Sequence, residues 1–95
     1  MANVRRLVLD LLKPHDPGVV EFASAVADCE GVRGVNVVLM ETDEAVQNVK
    51  MTVEGDTIPF ETIRETVEDL GGTVHSIDEV ACGAVVVEES ETPQD

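Results

Sequence analysis

Two histidines and a few clustered carboxylates are the groups in this chain whose chemistry stands out. His15 lies in Lys13-Pro14-His15-Asp16-Pro17, and His75 lies in His75-Ser76-Ile77-Asp78-Glu79-Val80. Between them, Glu41-Thr42-Asp43-Glu44 supplies further carboxylates. If the strands carrying these segments adjoin, His15, Asp16, Glu41, Asp43, Glu44 and His75 come to one end of one sheet. Carboxylates this dense repel one another, so a cation that neutralises them gains affinity. Oxygen ligands favour calcium or magnesium, and two imidazoles leave zinc or nickel as second choice. The competing reading is a set of solvated loop acids. A small enzyme built on the corner of His15 and His75 is a further alternative.

A catalytic nucleophile is harder to place. There is no glycine-rich phosphate loop, no GxSxG and no HExxH. Cys29 and Cys82 form no CxxC, and a structural zinc site wants local pairs of Cys or His. Cys82 follows His75 by seven residues, roughly 23 Å along a strand, too far for a dyad in one subunit. Both cysteines are expected to be buried thiols in a reducing cytosol.

The elements that must position these groups are legible from periodicity. Leu7, Leu9 and Leu11 alternate with Arg6, Val8, Asp10 and Leu12, which predicts a strand over Val4 to Leu12. Asp16 suits a helix N-cap and Pro17 the first helical position. Val19, Phe22, Val26 and Cys29 then form one helical stripe that Gly31 stops. Strands are expected over Arg33 to Glu41 and Val46 to Glu54, joined by the acidic turn. Pro59 opens a second helix with the stripe Phe60, Ile63, Val67 and Leu70, and Gly71-Gly72 closes it. Thr73 to Val80 reads as the last strand, and Gly83 breaks it.

The two stripes have identical spacing and are offset by 41 residues. That repeat predicts β-α-β-β-α-β, the ferredoxin-like split arrangement, an α+β fold. Right-handed crossovers give an antiparallel sheet of order 4-1-3-2. Residues 1–87 are expected to form one domain, with a short extra strand over Ala84 to Val87, and 88–95 an acidic disordered tail. Asp10 sits mid-strand, and Lys50 across the sheet is its expected partner.

Charge narrows the function classes. Twenty acids against six bases leave a net charge of −14. Nucleic acid and anionic membranes need clustered Lys and Arg, so neither is an expected partner. No apolar run approaches a membrane span, and no signal peptide is recognisable, so a cytoplasmic location is expected. Acidity this extreme, with only Lys13 and Lys50 as lysines, is the pattern of a halophilic protein whose self-repulsion is screened.

Particular residues also carry a family resemblance. Arg6-Leu7-Val8-Leu9-Asp10 with Lys13-Pro14-His15, then Gly34-Val35-Asn36, then His75 to Val80, resembles an archaeal family of small uncharacterised proteins, domain-of-unknown-function family 211. The resemblance spans Val4 to about Val87. It implies a ferredoxin-like fold and a homo-oligomer, and it implies no activity. This chain departs from the family's pattern in more acid, fewer lysines and an acidic tail. Those departures fit a halophilic member and put any lysine-dependent role in doubt.

Helices in this fold cover one sheet face only. Val8, Leu12, Val38 and Met40 therefore add apolar surface to the other face, and a second subunit is the expected cover. Val85 and Val86 lie in a run suited to pairing with a neighbour's sheet edge. The resulting expectation is a cytosolic homo-oligomeric module that binds a small ligand or divalent cation in a regulatory role.

Overall fold

The computed structural model describes residues 2–90. The chain runs β1 (Val4–Pro14), α1 (Val19–Ala27), β2 (Val32–Thr42), β3 (Val46–Gly55), α2 (Phe60–Asp69) and β4 (Thr73–Cys82). One four-stranded sheet has the order β2-β3-β1-β4. Read from the other edge, this is the expected 4-1-3-2, and every neighbouring pair is antiparallel. The result is an α+β fold consistent with the ferredoxin-like arrangement. No described helix is long and apolar enough to cross a membrane.

The helices are nine and ten residues long. Isolated helices of that length are marginal in water, so packing must hold them. Phe22 and Val26 of α1 and Ile63 and Val67 of α2 are fully buried. Burying each such side chain contributes roughly 1.5–3 kcal/mol, more than helix propensity supplies. They pack on Leu7, Leu9 and Leu11 of β1 and Val49, Met51 and Val53 of β3. The outer members of each stripe, Val19 with Cys29 and Phe60 with Leu70, are half-buried at the rim of that core. The repeat thus places the same two layers of side chains from each half over one sheet.

Helix ends follow the glycines, with two corrections. Gly71 has φ +90°, and its N–H and that of Gly72 donate to the carbonyls of Glu68 and Val67, both at 2.9 Å. These two hydrogen bonds close the last turn of α2 as expected. Helix α1 instead stops at Ala27, ahead of Gly31. The Cys29 N–H turns back to Val26 O at 3.0 Å, so Cys29 keeps its place on the stripe beyond the helix. Asp16 is not the N-cap either. Gly18 caps α1 with no side-chain bond, because residues 15–17 make a bend with Asp16 exposed.

The end of the chain differs most from expectation. The extra strand over 84–87 does not form. The Gly83 N–H donates to Asn3 O at 2.9 Å, and Arg5 then holds the carbonyls of Gly83 and Ala84 at 3.2 and 2.9 Å. Arg5 thereby ties this segment across the strand ends, away from the ladder position beside β4. Glu88, expected in a disordered tail, bonds to Arg6. Residues 91–95 of that tail lie outside the described residues.

Candidate functional site

The His15 corner forms, with His15 Nε2 and Asp43 Oδ1 already engaged in hydrogen bonds. Antiparallel pairing sets Pro14 opposite Val46, so the 42–46 hairpin rises beside the end of β1. His15 Nε2 lies 2.6 Å from Asp43 O. A carbonyl can only accept, so Nε2 carries the proton and has no lone pair for a metal. Asp43 is also committed. Its Oδ1 accepts the N–H groups of Ala45 and Val46 at 2.9 and 2.8 Å, closing the turn. Those two bonds, with His15 nearby, hold its carboxyl below the usual range.

The remaining candidates do not join them. Glu41, Glu44 and Asp16 are exposed. His75 sits at an irregularity of β4, between the partners of Asp10 and Leu11. That is about four strand positions from His15, roughly 13 Å. Among the described residues no three His, Cys, Asp or Glu side chains stand close enough to share an ion. The expectation of six converging ligands is corrected accordingly. Both histidines do lie toward the same end of the sheet, but β4 enters too deep for His75 to reach the hairpin.

The cysteines offer no nucleophile to this corner. Cys29 Sγ contacts Ala25 O at 3.7 Å and Thr66 Oγ1 at 3.5 Å, on the helical side. Cys82 pairs with Val4 at the opposite end of β1, and it is exposed, where burial was expected. Both are free thiols.

The sheet face away from the helices holds a second cluster. Register places Asp10 opposite Lys50, as expected, but Asn48 Nδ2 bonds the Asp10 carboxylate and no ion pair forms between Asp10 and Lys50 among the described residues. Asn48 also reaches Leu11 O at 3.2 Å, so it is fixed in place to hold that acid. Arg6 is the hub. It meets Glu54 at 2.7 Å, Glu88 through two bonds of 2.8 and 2.9 Å, and Glu79 at 3.5 Å. The paired, fork-shaped contact holds the Glu88 carboxyl below its ordinary value and raises the pKa of Arg6. Periodicity could place Arg6 and Glu54 on this face. Glu88 lies 82 residues from Arg6, and no local pattern signals that contact.

The same face divides in two. Its charged half surrounds Arg6. Its other half, toward the hairpin, carries Leu12, Val38, Met40 and Val46, all exposed. Val8 lies between the halves and is half-buried. Beyond the sheet, Val85 is exposed and Val86 half-buried.

Lys13 was not expected in any site. It is 1 % exposed. Nζ donates to Pro14 O at 2.7 Å and Gln47 Oε1 at 2.9 Å, and lies 5.0 Å from the Phe22 ring centroid. Burial lowers its pKa, against the opposing field of Asp16 and Glu21. The signal for it was parity: positions 7, 9 and 11 face the core, and 13 continues the series.

The relatives found by comparison with known proteins carry no stated activity. Over the whole of this chain and 98 % of the relative, it is 46 % identical to "Uncharacterized protein MJ0319" of Methanocaldococcus jannaschii. A family model described as "Uncharacterized ArCR", DUF211, matches residues 5–95. With nearly the full length matched, the chain belongs to the DUF211 family.

Proposed function

We propose that this protein is a self-assembling binding module with a regulatory role, working as a homo-oligomer whose subunits meet over the open face of the sheet. The observation that carries this is the apolar half of that face. Val38 and Met40 are 45 % and 55 % exposed, toward the same end of the sheet as the exposed Leu12 and Val46, with no described helix over them. Register sets Lys50 opposite Val38 and Asn48 opposite Leu12, so these exposed apolar side chains are interspersed with polar ones, and a copy of the same chain supplies a matching surface to cover them. The regulatory part rests on fold analogy alone. Catalysis at the histidine corner has less support, since His15 is bonded to the backbone and neither thiol lies beside it.

The test is mass in solution. Wild-type protein in molar salt should scatter light as an oligomer. Val38→Asp with Met40→Asp places two more charges on each copy of a −14 chain and should reduce the mass to that of a monomer. Circular dichroism should be retained, because both side chains lie outside the helix-covered core. A wild type that stays monomeric at high concentration overturns the reading.

We also propose a salt-rich cytoplasm as its setting. Of the six bases, Arg6, Arg33 and Arg64 are each paired with acids, and Lys13 is buried. Most carboxylates are therefore balanced by solvent ions alone. Screening lengths fall from about 10 Å at 0.1 M to about 3 Å at 1 M salt. The thermal midpoint should rise over that range, and an unchanged midpoint would count against this setting.

A further inference from the structure

The two edges of the sheet differ in a way that matters for assembly. Edge strands expose unpaired backbone and are usually blunted by charge or irregularity. Strand β4 is blunted by both: it carries Asp78 and Glu79, and its pairing is irregular. Strand β2 is not. From Gly34 to Met40 it carries no charge and no proline, and its register is regular from Gly34 to Leu39. It is an eleven-residue strand with one side open.

A second uncharged segment is exposed elsewhere. Arg5 holds Gly83 and Ala84, and Arg6 holds Glu88, so the run between them is pinned at both ends. That run is Ala84-Val85-Val86-Val87, with Val85 and Val87 70 % and 78 % exposed. Valine is among the strongest strand formers, yet this run belongs to no strand. Pinning both ends lowers the entropy cost of ordering it against a partner.

We infer that residues 84–87 of one copy add as a short strand to the open edge of β2 in the next copy. This rests on the self-assembly proposed above and adds to it a second contact, at the sheet edge. Copies that each carry −14 repel one another, so close backbone approach favours segments without charge. The β2 edge and the 84–87 run are two such segments, and each leaves strand-forming backbone unpaired. Main-chain hydrogen bonds supply the affinity of such an addition. Donor and acceptor are different surfaces, so the contact is head-to-tail and generates rings or filaments.

Amide hydrogen exchange on the full chain in molar salt tests this, with light scattering on the same samples. As protein concentration rises and the oligomer forms, peptides covering 34–40 and 84–87 should slow together, by about tenfold or more. Val86→Pro with Val87→Pro removes two N–H donors outside every helix and strand. It should abolish protection at 34–40 as well, with circular dichroism unchanged. An oligomer that protects 34–40 alone means β2 pairs with another β2. An oligomer that protects neither means assembly uses the open face only. Either result overturns the strand addition and leaves self-assembly standing, whereas a monomeric wild type overturns both.

Discussion

Gly31→Ala should destabilise the fold by about 2–5 kcal/mol, the sum of a left-handed-backbone cost of ~1–2 and an overpacking cost of ~1–3 kcal/mol. Gly31 has φ +93°, and a Cβ there would press into the Thr57 carbonyl. The same place constrains Gly55, whose Cβ would press into the Gly31 carbonyl. Here the turn after α1 crosses the loop after β3 with backbone against backbone, and neither side can yield as a flexible side chain would. Gly55→Ala should therefore cost about 1–3 kcal/mol, through crowding alone. Gly34, on β2, has open space around it, so Gly34→Ala serves as the control. Small domains have about 5–15 kcal/mol in hand, so either crowded variant should lose a large fraction of its stability. Urea titration measures this. A Gly31→Ala midpoint equal to that of Gly34→Ala would show that the crossing is looser than the structure has it.

Lys13→Glu should cost about 3–5 kcal/mol, as expected for a buried charge left without its partner. The site presents Pro14 O and Gln47 Oε1, both acceptors, to whatever replaces the ammonium. A carboxylate there meets oxygen instead of hydrogen-bond donors. Lys13→Met keeps the stem against Phe22 and removes the charge, and should fall within about 1.5 kcal/mol of wild type. The pH dependence then separates charge from packing. Burial lowers the folded-state pKa of Lys13, so between that value and the ordinary lysine value of about 10.4 the unfolded chain binds more protons. Stability of the wild type must rise with pH through that window, and the gain is lost as pH falls back through the folded pKa. The thermal midpoint of the wild type should therefore rise relative to that of Lys13→Met across this alkaline range. Parallel curves would show that Lys13 titrates normally and its ammonium reaches water.

Local pattern determined much of this protein. Alternation at 7, 9 and 11, and the stripe 19, 22, 26, 29 repeated 41 residues later, are short-range signals that set which residues face the core. Handed crossovers then order the strands, and the observed sheet agrees. Parity reaches Lys13 only because β1 runs on to Pro14, two residues past the expected end at Leu12.

What pattern alone did not decide lies in the register and in contacts made across long stretches of chain. Asp10 faces Lys50 by register, yet Asn48 takes its carboxylate because its amide reaches both Asp10 and Leu11 O. Irregularities in β4 set His75 about four positions short of His15, and no count along either strand reveals a shift that pairing itself creates. Arg6 gathers Glu54, Glu79 and Glu88 from three distant segments, and together with Arg5 on the carbonyls of Gly83 and Ala84 it pins the course of residues 83–88. Side-chain periodicity reports which face a residue occupies. Which atoms meet on that face is decided only when separate strands are brought together, because each bulge moves every later partner by one position.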